Sequence, residues 1–259
     1  MTLDTVLSSF MPGHSRSALL VLSLSALIAG LARGFSGFGG ALIFMPPASA
    51  IIGPMLAAPL LLIIDAVMAL GLIPDAWRRA DRQEAGMMVL GAMIGIPAGT
   101  YVLAVADPLT VRWGIVLAVI ALLVLLMSGW RYRGQLSANL TVGVGTVSGL
   151  FSGAAQIGGP PVVAYWLGGS IPGVTVRANL VLYFALSSLI TAVSYVATGL
   201  FTQPVFALAL TTAPVYGLGL YLGSRLFGIA SEATFRRTCY GLIAVAAIIG
   251  LPTLDKFIR

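Results

Sequence analysis

GFSGFGGALIFMPPASAII (residues 34–52) and GAAQIGGPPVVAYWLGGSI (residues 153–171) share one plan: a glycine cluster, an adjacent Gly-Gly pair, then a short apolar piece with a proline pair. A hydrocarbon core of about 30 Å needs about 20 helical residues to cross it. The apolar pieces here, 41–53 and 160–171, hold only 13 and 12. Such pieces are expected as re-entrant or broken half-helices, because backbone groups freed by a break are tolerated in a membrane only where protein or a water-filled cavity covers them.

The rest of the chain is apolar enough to live in a bilayer. Of 259 residues, 59% are hydrophobic and 8% charged, with a mean hydropathy of +1.02. A soluble domain carries about 25% charged residues, and a chain of 26.8 kDa still needs a polar shell around its core. Eight stretches are long enough to span as helices: 17–33, 56–73, 87–105, 109–128, 138–155, 175–198, 204–227 and 235–254. The expected fold is therefore all-α: a polytopic membrane protein of two homologous repeats, each with four full transmembrane helices plus a short broken or re-entrant helix.

One cysteine (Cys239) and one histidine (His14) exclude an intrachain disulfide, a Cys/His zinc cluster and a Cys–His nucleophile pair. No catalytic residues, metal site or cofactor are expected, and the chain does not read as an enzyme. The net charge is +6 and 13 of the 14 basic residues are arginine, but no arginine run exceeds two. This pattern suits cytoplasmic loops and lipid headgroups, not nucleic acid. The polar loops 74–86 and 129–137 carry Arg78, Arg79, Arg82, Arg131 and Arg133 beside Trp77, Trp130 and Tyr132, which marks them as cytoplasmic.

A duplication is legible at an offset of 119, which pairs Gly30/Gly149, Leu31/Leu150, Gly34/Gly153, Gly39/Gly158, Gly40/Gly159, Ile52/Ile171 and Leu61/Leu180. Further on, an offset of 124 pairs Gly95/Gly219, Gly99/Gly223, Thr110/Thr234 and Arg112/Arg236. The chain divides into an N-terminal surface segment (1–16), repeat 1 (17–133) and repeat 2 (134–259). Counting arginines does not orient the repeats, since parallel and inverted arrangements both leave eight basic residues inside and four outside. Three arginines around one short hairpin (Arg225, Arg236, Arg237) favour the inverted arrangement, which puts Lys256 and Arg259 on the periplasmic side.

The candidate site lies at the two breaks. A half-helix that starts at a Gly-Gly pair offers unpaired N–H groups and the positive end of its dipole, with no Cβ in the way. Two such starts, within Gly37-Phe38-Gly39-Gly40 and Gln156-Ile157-Gly158-Gly159-Pro160, suit an anion near the midplane. Alternatively, the glycines serve close helix packing. On the first reading, valine at Gly39 or Gly158 abolishes binding and leaves the fold intact. Arg33, next to the first cluster, is either a bidentate donor to the anion or a snorkelling interfacial arginine. Arg177 has the same two readings, and Asn179 sits where a buried amide can donate. Phe38, Ile157 and Trp166 are candidate apolar walls, and Gln156 a candidate for orienting the ligand. Asp65, deep in LLLIIDAVMALG, is costly in a membrane and a functional candidate by default. It is a proton carrier for coupling, a fixed ion pair with an arginine such as Arg33, or a protonated hydrogen-bond donor to a neighbouring helix.

GFGGALIFMP (37–46) and QIGGPPVVAYWL (156–167) resemble the paired motifs of the TauE/SafE family of sulfite and organosulfur anion exporters, and the likeness runs from about residue 18 to 254. Two departures stand out: Ala41 replaces a frequent third glycine, and Gln156 stands where glycine is common. The resemblance implies a secondary transporter of the bacterial inner membrane. It would export small anions such as sulfite, sulfoacetate or related sulfur-containing organic acids, and its partners would be that anionic substrate and the lipid bilayer. An anion channel and a non-transporting membrane subunit of a larger complex are the alternatives. Neither the particular anion nor the oligomeric state follows from the sequence.

Overall fold

The structure is a computed structural model that describes residues 16–168, 172–226 and 232–254. Most of the expected surface segment 1–16 lies outside these residues, as do Ile171, Lys256 and Arg259. The described residues form eleven α-helices and no strand. In chain order these are α1 (Arg16–Ser36), α2 (Gly40–Ile52), α3 (Pro54–Ala69), α4 (Ile73–Arg79), α5 (Arg82–Val105), α6 (Pro108–Met127), α7 (Ala138–Ala155), α8 (Gly159–Trp166), α9 (Gly173–Ala197), α10 (Gln203–Leu226) and α11 (Glu232–Gly250).

Local chemistry sets the boundaries. Asp81 caps α5 by accepting from the amides of Gln83 and Glu84, both at 3.1 Å. Asp107 does the same for α6 through Leu109 at 3.0 Å and Thr110 at 3.1 Å, with Pro108 at the first helical position. The loop expected over 74–86 is therefore mostly helix: α4 fills its first half, and the Asp81 cap starts α5 inside it.

Helices occupy all eight stretches expected to span, but among the described residues only α5, α6, α9 and α10 are both long and apolar enough to cross a membrane. A fifth candidate arises if α3 and α4, bent by 72° across a 3-10 turn, count as one span. Residues 19–35 and 237–250 form shorter apolar helices. The α7 helix is diluted by glycine, serine and threonine on the face that packs inward, where Gly145, Ser148, Gly149, Ser152 and Gly153 are all buried. The long helices carry the lipid-facing surface: Ile94 (65%), Leu189 (65%) and Leu210 (79%) are largely exposed, as expected of a multi-pass membrane protein.

Two helix pairs make the closest and most extensive contacts, α5 with α7 and α10 with α1. Both are glycine seams. A methyl group at Gly95 or Gly99 would overlap the carbonyl oxygen of Thr146 or Leu150, and one at Gly219 or Gly223 that of Leu27 or Leu31. The glycines paired at the offset of 124 thus serve backbone-to-backbone packing. The offset of 119 carries the start of α2 (Gly40) onto that of α8 (Gly159) and the end of α1 (Ser36) onto that of α7 (Ala155). The short α2 is buried nearly all round, through Leu42, Phe44, Met45 and Ala48, as an apolar helix enclosed by others must be.

Candidate functional site

The starts of the two short helices open on one cavity. Gly39 and Gly40 line it from α2, and Gly159 and Pro160 from α8, with Phe38 and Ile157 beside them. About 50 Å³ is free for the centres of water-sized occupants, room for roughly three to five waters at 10–15 Å³ each. Gly39 has φ +88° and nothing within 4 Å of where a Cβ would stand, so its backbone faces open space.

The charge in this cavity comes from α1 and α3. Arg33, in the last turn of α1, forks onto the carboxylate of Asp65 on α3: Nε donates to Oδ1 at 3.0 Å and Nη2 to Oδ2 at 3.1 Å. Its Nη1 donates to the Gly37 carbonyl, and its guanidinium lies over the Phe184 ring at 5.3 Å. Tyr216 of α10 donates to the same Oδ1 at 2.6 Å. The two charged side chains are 15% and 29% exposed, so the pair is sheltered but open to the cavity. Of the three surroundings considered for Asp65, the ion pair with Arg33 is the one present.

The second break is held differently. Gln156 ends α7 in the left-handed region, with φ 59°. Its Nε2 donates to the Ser152 carbonyl at 3.1 Å and to the Tyr195 hydroxyl at 3.3 Å. Tyr195 donates in turn to the Gly153 carbonyl at 2.9 Å. Ser148 donates to the Gly158 carbonyl at 2.6 Å, and Tyr183 to Ser148 at 2.8 Å. A Cβ on Gly158 would overlap Ser152 and the Ser148 backbone. A side chain at Gly158 thus has no room unless the backbone shifts, which argues against the expectation that valine there leaves the fold intact.

Arg33, Phe38, Gly39, Gly40, Asp65, Gln156, Ile157, Gly159 and Pro160 thus come together around the cavity. Gly37 and Gly158 stand behind it, the first as an acceptor for Arg33 and the second packed on α7. Trp166, Arg177 and Asn179 are not part of the lining. Trp166 is fully buried in a separate apolar cluster with Met88, Ile96 and Tyr183. Arg177 is exposed in the first turn of α9. Asn179 is buried and accepts from the Asp81 amide at 2.7 Å, tying α9 to the start of α5. Sequence reasoning missed Tyr216, Phe184, Ser187, Ser188 and Thr191, which also line the cavity, and gave no role to Ser152. The repeat held a signal for two of these six: the offset that places Ser152 opposite Arg33 places Phe184 opposite Asp65.

The family described as sulfite exporter TauE/SafE matches residues 22–249. A curated relative, the "probable sulfite/organosulfonate exporter TauE" of Cupriavidus necator, is 29% identical over 115 residues, 44% of this chain and 45% of the relative. The chain thus matches less than half the length of that relative. No solved structure matches. With nearly its whole length inside the family's bounds, the chain belongs to the TauE/SafE sulfite exporter family of membrane transporters.

Proposed function

We propose that this protein is a secondary transporter that moves sulfite or a related small sulfur-containing acid out across the bacterial inner membrane. The observation that carries the reading is the convergence of two helix N-termini and one arginine on a single cavity inside a membrane bundle. Amide donors, two dipole ends and a guanidinium all favour a small oxyanion. The family membership and the relative's name supply the sulfur chemistry.

The two-repeat, inverted architecture is part of this proposal. The duplication is supported by the way the offsets carry helix starts onto helix starts and by the matching glycine seams of α5–α7 and α10–α1, and the inversion only by the three arginines Arg225, Arg236 and Arg237 around one short hairpin. Alternating access follows from one repeat rocking against the other around the fixed cavity. A negative-inside potential favours anion exit by about 2.3 kcal/mol per charge per 100 mV, so export needs no coupling ion.

The test is sulfite efflux from liposomes holding the purified protein. Saturable efflux, accelerated by an inside-negative potential, is expected. Efflux no faster than from empty liposomes refutes transport by this chain, and flux that never saturates points to a channel. A reporter active only in the cytoplasm, fused after Arg259, should stay dark if the repeats are inverted.

A further inference from the structure

We infer that Asp65 is a built-in surrogate for the substrate: its carboxylate occupies the fork of Arg33 that the transported anion takes over, so the anion binds by exchange with Asp65 and must itself present two adjacent oxygens. The inference deepens the reading of this cavity as the anion site of an exporter and rests on it for the identity of the anion.

Three observations carry it. First, the pair has the geometry of ligand recognition: two parallel N–H···O bonds of 3.0 and 3.1 Å from one guanidinium edge to two oxygens of one group. That fork selects planar or pyramidal oxyanions and gives no second contact to a monatomic ion. Secondly, the pair stands in the cavity wall beside the start of α2, with Asp65 29% exposed. An anion entering between the half-helices therefore meets Arg33 with its fork already filled. Thirdly, Arg33 is fixed without help from Asp65. Its Nη1 is held by the Gly37 carbonyl and its face by Phe184 at 5.3 Å, while Tyr216 donates to Oδ1 at 2.6 Å from a different helix. The carboxylate thus has a second donor to retain it when the substrate displaces it from the Arg33 fork. The duplicate supplies no such pair: Ser152 and Phe184 occupy the equivalent positions. One internal oxyanion therefore serves one cavity. Without substrate the cavity holds a neutral pair, which lets the empty carrier reorient without a bare charge inside the membrane.

Chemical rescue tests this directly. Asp65→Ala removes the internal oxyanion and leaves Arg33 unmatched. The variant, extracted and kept in sodium formate throughout, should be recovered folded in detergent. On removal of formate it should melt below the wild type. Adding formate back should raise its melting temperature saturably. Sulfite should act in the same way, whereas chloride at equal ionic strength should not, and the wild type should show no formate-specific rise. Arg33→Gln in the same background should abolish the response. The neutral double variant Arg33→Gln/Asp65→Asn should fold without any anion and bind sulfite at least about tenfold more weakly.

Equal responses to chloride and formate would overturn the inference. So would a wild type that responds to formate as strongly as the variant, an Asp65→Ala protein that formate cannot recover, or a double variant that binds sulfite normally. The outcomes separate the two readings. Formate rescue without liposome efflux removes only the exporter, and efflux without formate rescue removes only the surrogate.

Discussion

The two breaks stand 119 positions apart in the sequence and are built from opposite materials. At the first, around Arg33–Leu42, the backbone turns through glycines at φ +78° (Gly37) and +88° (Gly39), and a guanidinium stands beside the start of α2. At the second, around Ser152–Pro161, a serine replaces the arginine, and Gln156 holds at φ 59° the left-handed turn that Gly37 makes in the first. Pro160 and Pro161 remove two of the amide donors that a helix start would otherwise offer. The second start is instead braced by serine and tyrosine hydroxyls: Ser148 on Gly158, Tyr183 on Ser148 and Tyr195 on Gly153. Both halves therefore keep the break itself and the glycine seams that pack it, whereas the charge lies in the first half alone. The first break is the electrostatic side of the cavity and the second is its rigid wall.

That contrast can be broken most decisively at the glycines. Gly158→Val drives a side chain into Ser152 and the Ser148 backbone, which costs upwards of about 3 kcal/mol and should leave no monodisperse peak on size exclusion in detergent. Gly39→Ala meets no atom within 4 Å and suffers only the strain of φ +88°, about 1–2 kcal/mol. It should run as a sharp peak with a modestly lowered melting temperature. Equal behaviour of the two variants would dissolve the distinction between an open Gly39 and a packed Gly158.

Next in size is the ion pair. Asp65→Asn leaves Arg33 without its partner charge. Stranding a fully buried charge costs about 3–5 kcal/mol, but Arg33 is 15% exposed and keeps its bond to the Gly37 carbonyl, so about 2 kcal/mol is expected. Thermal melting in detergent checks it, and Ser152→Ala, the matching change in the other half, should move the melting point far less. Tyr195→Phe tests the bracing. It takes a donor from the Gly153 carbonyl and an acceptor from Gln156, a loss of about 1–3 kcal/mol that should appear as faster hydrogen exchange in residues 153–159.

The smallest effect is predicted for Gln156→Gly. Relief of the left-handed strain stabilises by about 1 kcal/mol, and loss of the bonds to Ser152 and Tyr195 removes about as much. The melting temperature should hardly change, while sulfite affinity, measured by calorimetry, should fall. An unchanged affinity would place Gln156 in the bracing alone.

Much of this contrast was legible in the residues. Gly-Gly followed by prolines and a short apolar piece marked both helix starts, because helix length against bilayer thickness is a one-dimensional constraint. The proposed duplication is legible because glycines recur at offsets of 119 and 124, many of them where a side chain has no room. Other parts were not legible. Tyr216 lies 151 positions from Asp65, and no local pattern distinguishes it from other tyrosines of a membrane helix. Asn179 and Trp166 had the right chemistry and sequence proximity to the second break, yet Asn179 faces the start of α5 and Trp166 a separate apolar cluster. Sequence proximity does not fix which face of a helix meets the cavity.

Composition determined that this chain is a membrane protein, since 8% charged residues cannot coat a soluble fold of this size, and the length of its apolar stretches determined that it is helical. The spacing of glycines and prolines determined where the helices break. Only the tertiary structure decided which Gly-Gly neighbour is free and which is clamped, and that Arg33 meets Asp65 across 32 residues of sequence. Those outcomes depend on the rotation of each helix about its own axis. In a nearly uniform apolar chain, amphipathic patterning says little about that rotation, and contact with neighbouring helices sets it.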